Sequence, residues 1–230
     1  MRQNISPTYL KKNYLGLNNF YNPHLSPKGF PLIKSQSYIV PEKLYKYSSR
    51  RQAIYPDLFN SCCHFFVDDN RFKGIWSNPF PTNFLKQFAY LILPDFTIAS
   101  EFSPIQNQWQ HYRKMWIGAY WESHGLKVIP CANWAEPDSY DWCFEGMPTG
   151  TTIGIATMEI NQPDEWQIFN DGLKAMIQRL EPSNLLIYGK LSNYYGQIEI
   201  PYNVPYTRYF YNYLNSLSYP FPIKNNEPKM

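Results

Sequence analysis

Asp68, Asp69, Asp95 and Glu159 are the side chains of this sequence best placed to do chemistry, because each closely follows a short apolar run. His64-Phe65-Phe66-Val67 leads into Asp68-Asp69, Tyr90-Leu91-Ile92-Leu93 into Pro94-Asp95, and Thr152-Ile153-Gly154-Ile155-Ala156 toward Glu159. Carboxylates gathered at one place raise one another's pKa and divide acid and base roles, or hold a hard cation such as Mg²⁺ through oxygen ligands. Two further runs end at residues suited to binding a ligand. Lys127-Val128-Ile129-Pro130 ends near Asn133 and Trp134, an indole able to stack on a sugar or base. Leu185-Leu186-Ile187-Tyr188 ends at Gly189-Lys190, a cation for an anionic group. A second reading stays open, since an Asp after a strand also caps a helix or fixes a turn, and Asp69-Asn70 suits that role.

Other chemistries lack their residues. There is no Gly-x-Ser-x-Gly elbow, no Gly-x-x-x-x-Gly-Lys-Ser/Thr loop and no Gly-x-Gly-x-x-Gly turn. His24, His64, His111 and His124 have no paired metal spacing. His64 reads as a hydrogen-bonding residue of a buried strand, and His124 as a cation at a helix end before Gly125. Cys62, Cys63, Cys131 and Cys143 match no zinc pattern and are expected to be reduced structural thiols in a cytoplasmic protein, the host cytoplasm if the gene is a phage's. No cofactor is evident, the metal is unknown, and Mg²⁺ is the cation the carboxylates would suit. No secretory leader or membrane-spanning run is recognised, so a soluble protein without membrane contact is expected.

Short apolar strands alternating with helices build parallel sheets, whose carboxyl-end loops carry ligand sites. The pattern predicts an α/β fold of five or six mostly parallel strands, as an incomplete or closed βα barrel, with an open three-layer sheet as the alternative. Thr82 opens a helix with Phe84, Leu85 and Phe88 inward. Ser103-Pro104 caps and starts a longer helix that stops at Gly125. Its inward stripe is expected at Ile105, Trp109, Tyr112, Trp116, Ala119 and Tyr120, with His111, Arg113 and Lys114 on the other faces. A short helix is expected near Ser139 to Phe144. Asp164 to Leu180 reads as a helix buried through Trp166, Phe169, Leu173, Met176, Ile177 and Leu180. Gln197 to Ile200 is a candidate sixth strand.

Charge divides the chain. Residues 1–60 carry nine Lys/Arg against two Asp/Glu, residues 61–190 nine against fourteen, and residues 191–230 three against two. The expected organisation is therefore a basic, Pro/Tyr-rich arm over 1–60, a βα core over 61–200, and a Tyr/Pro-rich tail over 201–230 packing on the core. Within the arm, Glu42 to Arg51 reads as helical after Pro41; Thr207 to Leu217 reads as a short helix in the tail. Lys43, Lys46, Arg50 and Arg51, interleaved with Tyr45, Tyr47 and Tyr55, are candidate nucleic-acid contacts, because cations neutralise phosphates and rings stack on bases. The aromatic arms equally suit self-association or a protein partner.

The blocks His64 to Asp69, Leu93-Pro94-Asp95-Phe96, Trp116 to Trp121, Lys127 to Pro130 and Ile187 to Lys190 resemble, in order, the bacterial and phage family of unknown function numbered 4417. The resemblance covers about Cys62 to Lys190 and implies one central domain associated with phages and mobile elements. It implies no activity and no catalytic residues. Two readings follow: a βα domain that binds or processes a nucleotide, nucleic acid or sugar at the acidic rim, or a non-catalytic accessory protein that uses its aromatic arms.

Overall fold

The computed structural model describes residues 21–34, 40–47, 60–212 and 217–221. Strands β1 (Lys43–Lys46), β2 (Ser61–His64), β3 (Tyr90–Ile92), β4 (Val128–Ile129), β5 (Thr152–Ala156), β6 (Asn184–Tyr188), β9 (Tyr206–Asn212) and β10 (Leu217–Phe221) form one sheet in the order β4-β3-β2-β1-β10-β9-β6-β5. All neighbours are parallel except β10, which runs against β1 and β9. β2 and β3 are buried along their whole length, and β5 and β6 over all but one residue each, as strands covered on both faces must be.

The sheet is rolled but is not a closed barrel. The His64 ring lies 4.3 Å from that of Tyr188, although β2 and β6 are not neighbours in the ladder. The edges meet at one parallel bridge between Cys131 and Gly154, where Ala132 N–H donates to Gly154 O at 3.0 Å and Gly154 N–H to Pro130 O at 2.8 Å. Gly154 permits this approach, since a Cβ there would stand 3.1 Å from Ile92 Cγ2. β4 itself has only two residues, too few for a continuous ladder with β5. The mixed α/β architecture is thus the expected one, in its open-sheet form.

Three segments differ from the strand and tail reading, and the helices expected from Thr82 and near Ser139 to Phe144 are reduced to 3₁₀ turns at Leu85–Gln87 and Pro137–Ser139. Glu42 to Arg51, expected as a helix, supplies β1 as far as Lys46, paired with β2 from Lys43↔Ser61 to Lys46↔His64. Thr207 to Leu217, expected as a helix, supplies most of β9, which extends the sheet from β6. In both, Tyr and Thr residues fit a pleated surface once a strand edge is there to pair with, and the sheet therefore draws on segments either side of residues 61–200. Gln197 to Ile200 does not join the sheet; β7 (Ser192–Asn193) and β8 (Gly196–Gln197) form a separate hairpin that stops at Gln197.

The helices are α1 (Gly74–Ser77), α2 (Pro104–Ser123) and α3 (Pro163–Leu180), with 3₁₀ turns at Asp69–Arg71, Leu85–Gln87 and Pro137–Ser139. α2 begins as expected: Ser103 Oγ accepts from Gln106 N–H, Gln106 reciprocates on Ser103 N–H, and Pro104 opens the first turn. Gly125 follows with φ +79°. Of the stripe expected for α2, Trp116, Ala119 and Tyr120 are buried and Tyr112 is half-buried, but its start and its other faces differ. Ile105 is 79% exposed and Trp109 39%, whereas His111 and Lys114 are buried with Met115 to Trp121. The helix is enclosed nearly all round after its second turn, so no single stripe describes it. α3 matches its reading, with Trp166, Leu173, Met176 and Leu180 buried. Among the described residues no helix is long and apolar enough to cross a membrane, and all four cysteines are free and buried.

Candidate functional site

Parallel strands bring their carboxyl ends to one rim, and the loops after β2, β3, β4 and β5 meet there around a cleft of about 460 Å³. Asp68, Asp69, Asp95, Asn133, Trp134 and Glu159 all line it. Phe66, Val67, Ile98, Ala132, Ala156, Met158, Ile160 and Phe169 supply apolar wall, and Thr97 and Glu165 add polar groups. The lining contains five carboxylates and no Lys or Arg.

The carboxylates are differently employed. Asp68 precedes a 3₁₀ turn without capping it through its side chain, and pairs with Arg71 at 3.3 Å in open solvent. Asp69 accepts from Thr97 N–H at 3.3 Å and from Thr97 Oγ1–H at 3.0 Å, tying the β2 loop to the β3 loop. Glu165 is spent on the start of α3, where it accepts from Asn161 N–H at 2.6 Å and Gln162 N–H at 2.9 Å. Glu159 is exposed. Asp95 is half-buried and accepts from Cys131 Sγ–H at 3.2 Å. Loss of water around it pushes its pKa up from 3.8 to about 6, Asp69 and Glu159 push the same way, and the Lys114 ammonium and the Cys131 hydrogen bond oppose them.

The sequence reading missed Lys114. This lysine is fully buried, and its Nζ donates to Asn133 Oδ1. Asn133 in turn donates through Nδ2 to Phe96 O at 2.8 Å. Burial drives the pKa of Lys114 down, while Asp95 and the Cys131 and Cys143 sulfurs work to keep it charged. Lys114 stands in helical register with Gly118 and Trp121, and all three are buried; the register is legible in the sequence, but the burial of that face is not. His111, one turn earlier, donates Nε2–H to Glu145 O at 2.9 Å and is held neutral by burial, with Lys114 adding to the effect. His64 accepts from Phe66 N–H through Nδ1 at 3.3 Å; burial first, then Lys46, push its pKa down to about 3.

Trp134 is at the cleft but its polar edge is already used. It donates Nε1–H to Ile168 O at 3.3 Å, and its ring packs 5.2 Å from that of Phe169. Lys190 is exposed and outside the lining, and its carbonyl accepts from Thr157 Oγ1–H. Lys43 and Lys46 are half-buried on β1; Arg50 and Arg51 lie outside the described residues. Among the described residues no three His, Cys, Asp or Glu side chains converge as a metal-binding group, as the separate employment of Asp68, Asp69 and Glu165 explains.

Two phage proteins are similar to this chain. The Gene 1 protein of Mycobacterium phage L5 is 38% identical over 154 residues, covering 66% of this chain and 67% of the phage protein. The Gene 1 protein of Mycobacterium phage D29 is 34% identical over 192 residues, covering 82% and 70%. No solved structure matches. The family profile described as "Domain of unknown function (DUF4417)" matches residues 23–203, a span that holds β1 to β8, every helix among the described residues and the whole cleft. With that match and those relatives, the chain belongs to the DUF4417 family.

Proposed function

We propose that the rim cleft binds an uncharged, hydroxyl-rich ligand of the sugar class and that Asp95 exchanges a proton with it. The observation that carries this reading is Asp95 itself: a carboxyl with a pKa of about 6, half-buried in an open cleft, with exposed Glu159 beside it in the same lining. A group titrating near neutrality can take and return a proton at working pH, and two carboxylates in unlike surroundings are the usual way of dividing acid from base. Carboxylates and amides also suit hydroxyl donors. Asn133, clamped by Lys114 and Phe96 O, is a pre-oriented amide for that purpose.

Charge argues for a sugar over a nucleotide or nucleic acid. A phosphate entering a lining of five carboxylates without Lys or Arg meets repulsion in partly desolvated surroundings, which Arg71 beside Asp68 and Lys114 behind Asp95 offset only in part; a bridging cation such as Mg²⁺ would reverse that. Calorimetric titration of the protein, Asp95→Asn and Glu159→Gln with neutral oligosaccharides and with nucleotides, each with and without Mg²⁺, tests the reading. Saccharide binding without Mg²⁺, weakened by both substitutions, is expected. Nucleotide binding that needs Mg²⁺, with no saccharide binding, would overturn it.

A further inference from the structure

The β7–β8 hairpin pairs Ser192 with Gln197 and Asn193 with Gly196, which leaves Tyr194-Tyr195 as a two-residue loop. Such loops favour Asn and Gly, because the turns that fit a hairpin's twist need positive φ. Here the loop positions hold two bulky rings, and neither takes a positive φ. The turn is made by Asn193 instead. Its Oδ1 accepts from Tyr195 N–H at 2.9 Å, Gly196 N–H at 3.1 Å and Trp166 Nε1–H at 2.8 Å. Its Nδ2 donates to Ile160 O at 2.8 Å, and Ile160 lines the cleft. One amide therefore shapes the hairpin and fastens it to the cleft wall.

The rings so presented remain in water. Tyr194 is 94% exposed and Tyr195 48%, with centroids 5.1 Å apart at 87°. Rings held in water on a braced turn, against local turn preference, mark a surface kept for contact rather than for the core. We infer that Tyr194 and Tyr195 form an aromatic subsite beside the cleft that stacks a further ring of the same saccharide, so that the ligand is a chain of sugars rather than a single one. This rests on the sugar-class reading of the cleft. The occupant follows from continuity, since the hairpin is bolted to the cleft wall, and from chemistry: an aromatic face takes the C–H face of a sugar without needing charge, and the adjoining acidic lining disfavours a polyanion.

Titration with malto-, cello- and chito-oligosaccharides of one, three and six units tests the inference, using the full chain and the double variant Tyr194→Ala/Tyr195→Ala. The expected result is a loss of about tenfold or more for six-unit chains, the scale of one lost stacking contact. Single sugars should bind as before, and the melting temperature should not move. Tyr194→Phe/Tyr195→Phe should restore most of the affinity, because the stacking face is kept. Loss that is equal at every length, or no loss, overturns the subsite while leaving the cleft reading intact. Absence of saccharide binding by the unaltered protein defeats both. Capture of (dT)₁₂ that needs the tyrosines, in place of saccharide, also overturns the inference and assigns the rings to single-stranded nucleic acid.

Discussion

α2 and α3 are built from the same opening and put to different uses. Both carry a capping box and a proline in the first turn. α3 then shows one apolar stripe, and its buried residues include no ionisable side chain. α2 is enclosed nearly all round and takes His111 and Lys114 into the interior. Desolvating an ammonium is costly unless it is hydrogen-bonded and faces an anion. Lys114 has both, in Asn133 and in the field of Asp95. The difference teaches that α3 is a packing helix, while α2 also sets the charge and geometry of the cleft beside it.

Removing the buried cation should give the largest contrast. Lys114→Met is expected to cost about 3 kcal/mol or more at pH 8, since it leaves Asp95 charged without its opposing cation and Asn133 without its donor. At pH 5 the loss should be smaller. Asp95 already titrates near 6 with Lys114 present, and without it the carboxyl holds its proton still more firmly, so at pH 5 it is largely neutral. Urea denaturation at the two pH values checks both magnitude and sign. An equal loss at both would mean that Lys114 does not act on Asp95.

Acid should separate the helices next. His111 is held neutral in the fold with its pKa well below 6.5. The unfolded chain binds a proton there as pH falls past 6.5, and the fold refuses it, so stability declines with falling pH. His64 adds to the decline between 6.5 and about 3. Asp95 opposes part of it, because its pKa is raised from 3.8 to about 6 and the fold gains from protonation across that window. The melting temperature should therefore fall between pH 7 and pH 4.5. His111→Gln, which keeps a donor for Glu145 O, should reduce that fall; a substitution on the exposed face of α3, such as Lys174→Gln, should leave it unchanged.

The helix glycines offer a smaller test. A Cβ at Gly172 of α3 would stand 2.1 Å from Trp134 Nε1, on a ring already pinned by its own hydrogen bond. Overpacking should outweigh the gain in helix propensity, for a net loss of about 1–3 kcal/mol in Gly172→Ala. At Gly118 of α2 the nearest atoms are Leu93 Cδ2 at 2.9 Å and Ile33 Cγ2 at 3.0 Å, the ends of side chains that can give way. Gly118→Ala should therefore change the denaturation midpoint less than Gly172→Ala does. Smallest of all, Ser103→Ala should cost about 1 kcal/mol by unmaking the cap of α2. A midpoint unmoved by that change would show that tertiary burial alone holds the helix start.

By itself the sequence determined what depends on neighbours along the chain. Short continuous apolar runs placed β5 and β6, helical apolar spacing placed α3, the Ser103-Pro104 pair placed the start of α2, and the polar landings after the strands named Asp68, Asp69, Asp95, Asn133, Trp134 and Glu159 as one rim. Tertiary structure decided what depends on partners far away in sequence. β1 and β9 became strands because β2 and β6 offered them edges. Trp134 turned its indole N–H to α3, Asp69 was claimed by Thr97, and Lys114 was drawn inside by Asn133 and Asp95. A side chain's charge and employment are set by what surrounds it in space, so the sequence could name the residues of the rim but only the fold could raise the Asp95 carboxyl toward neutrality.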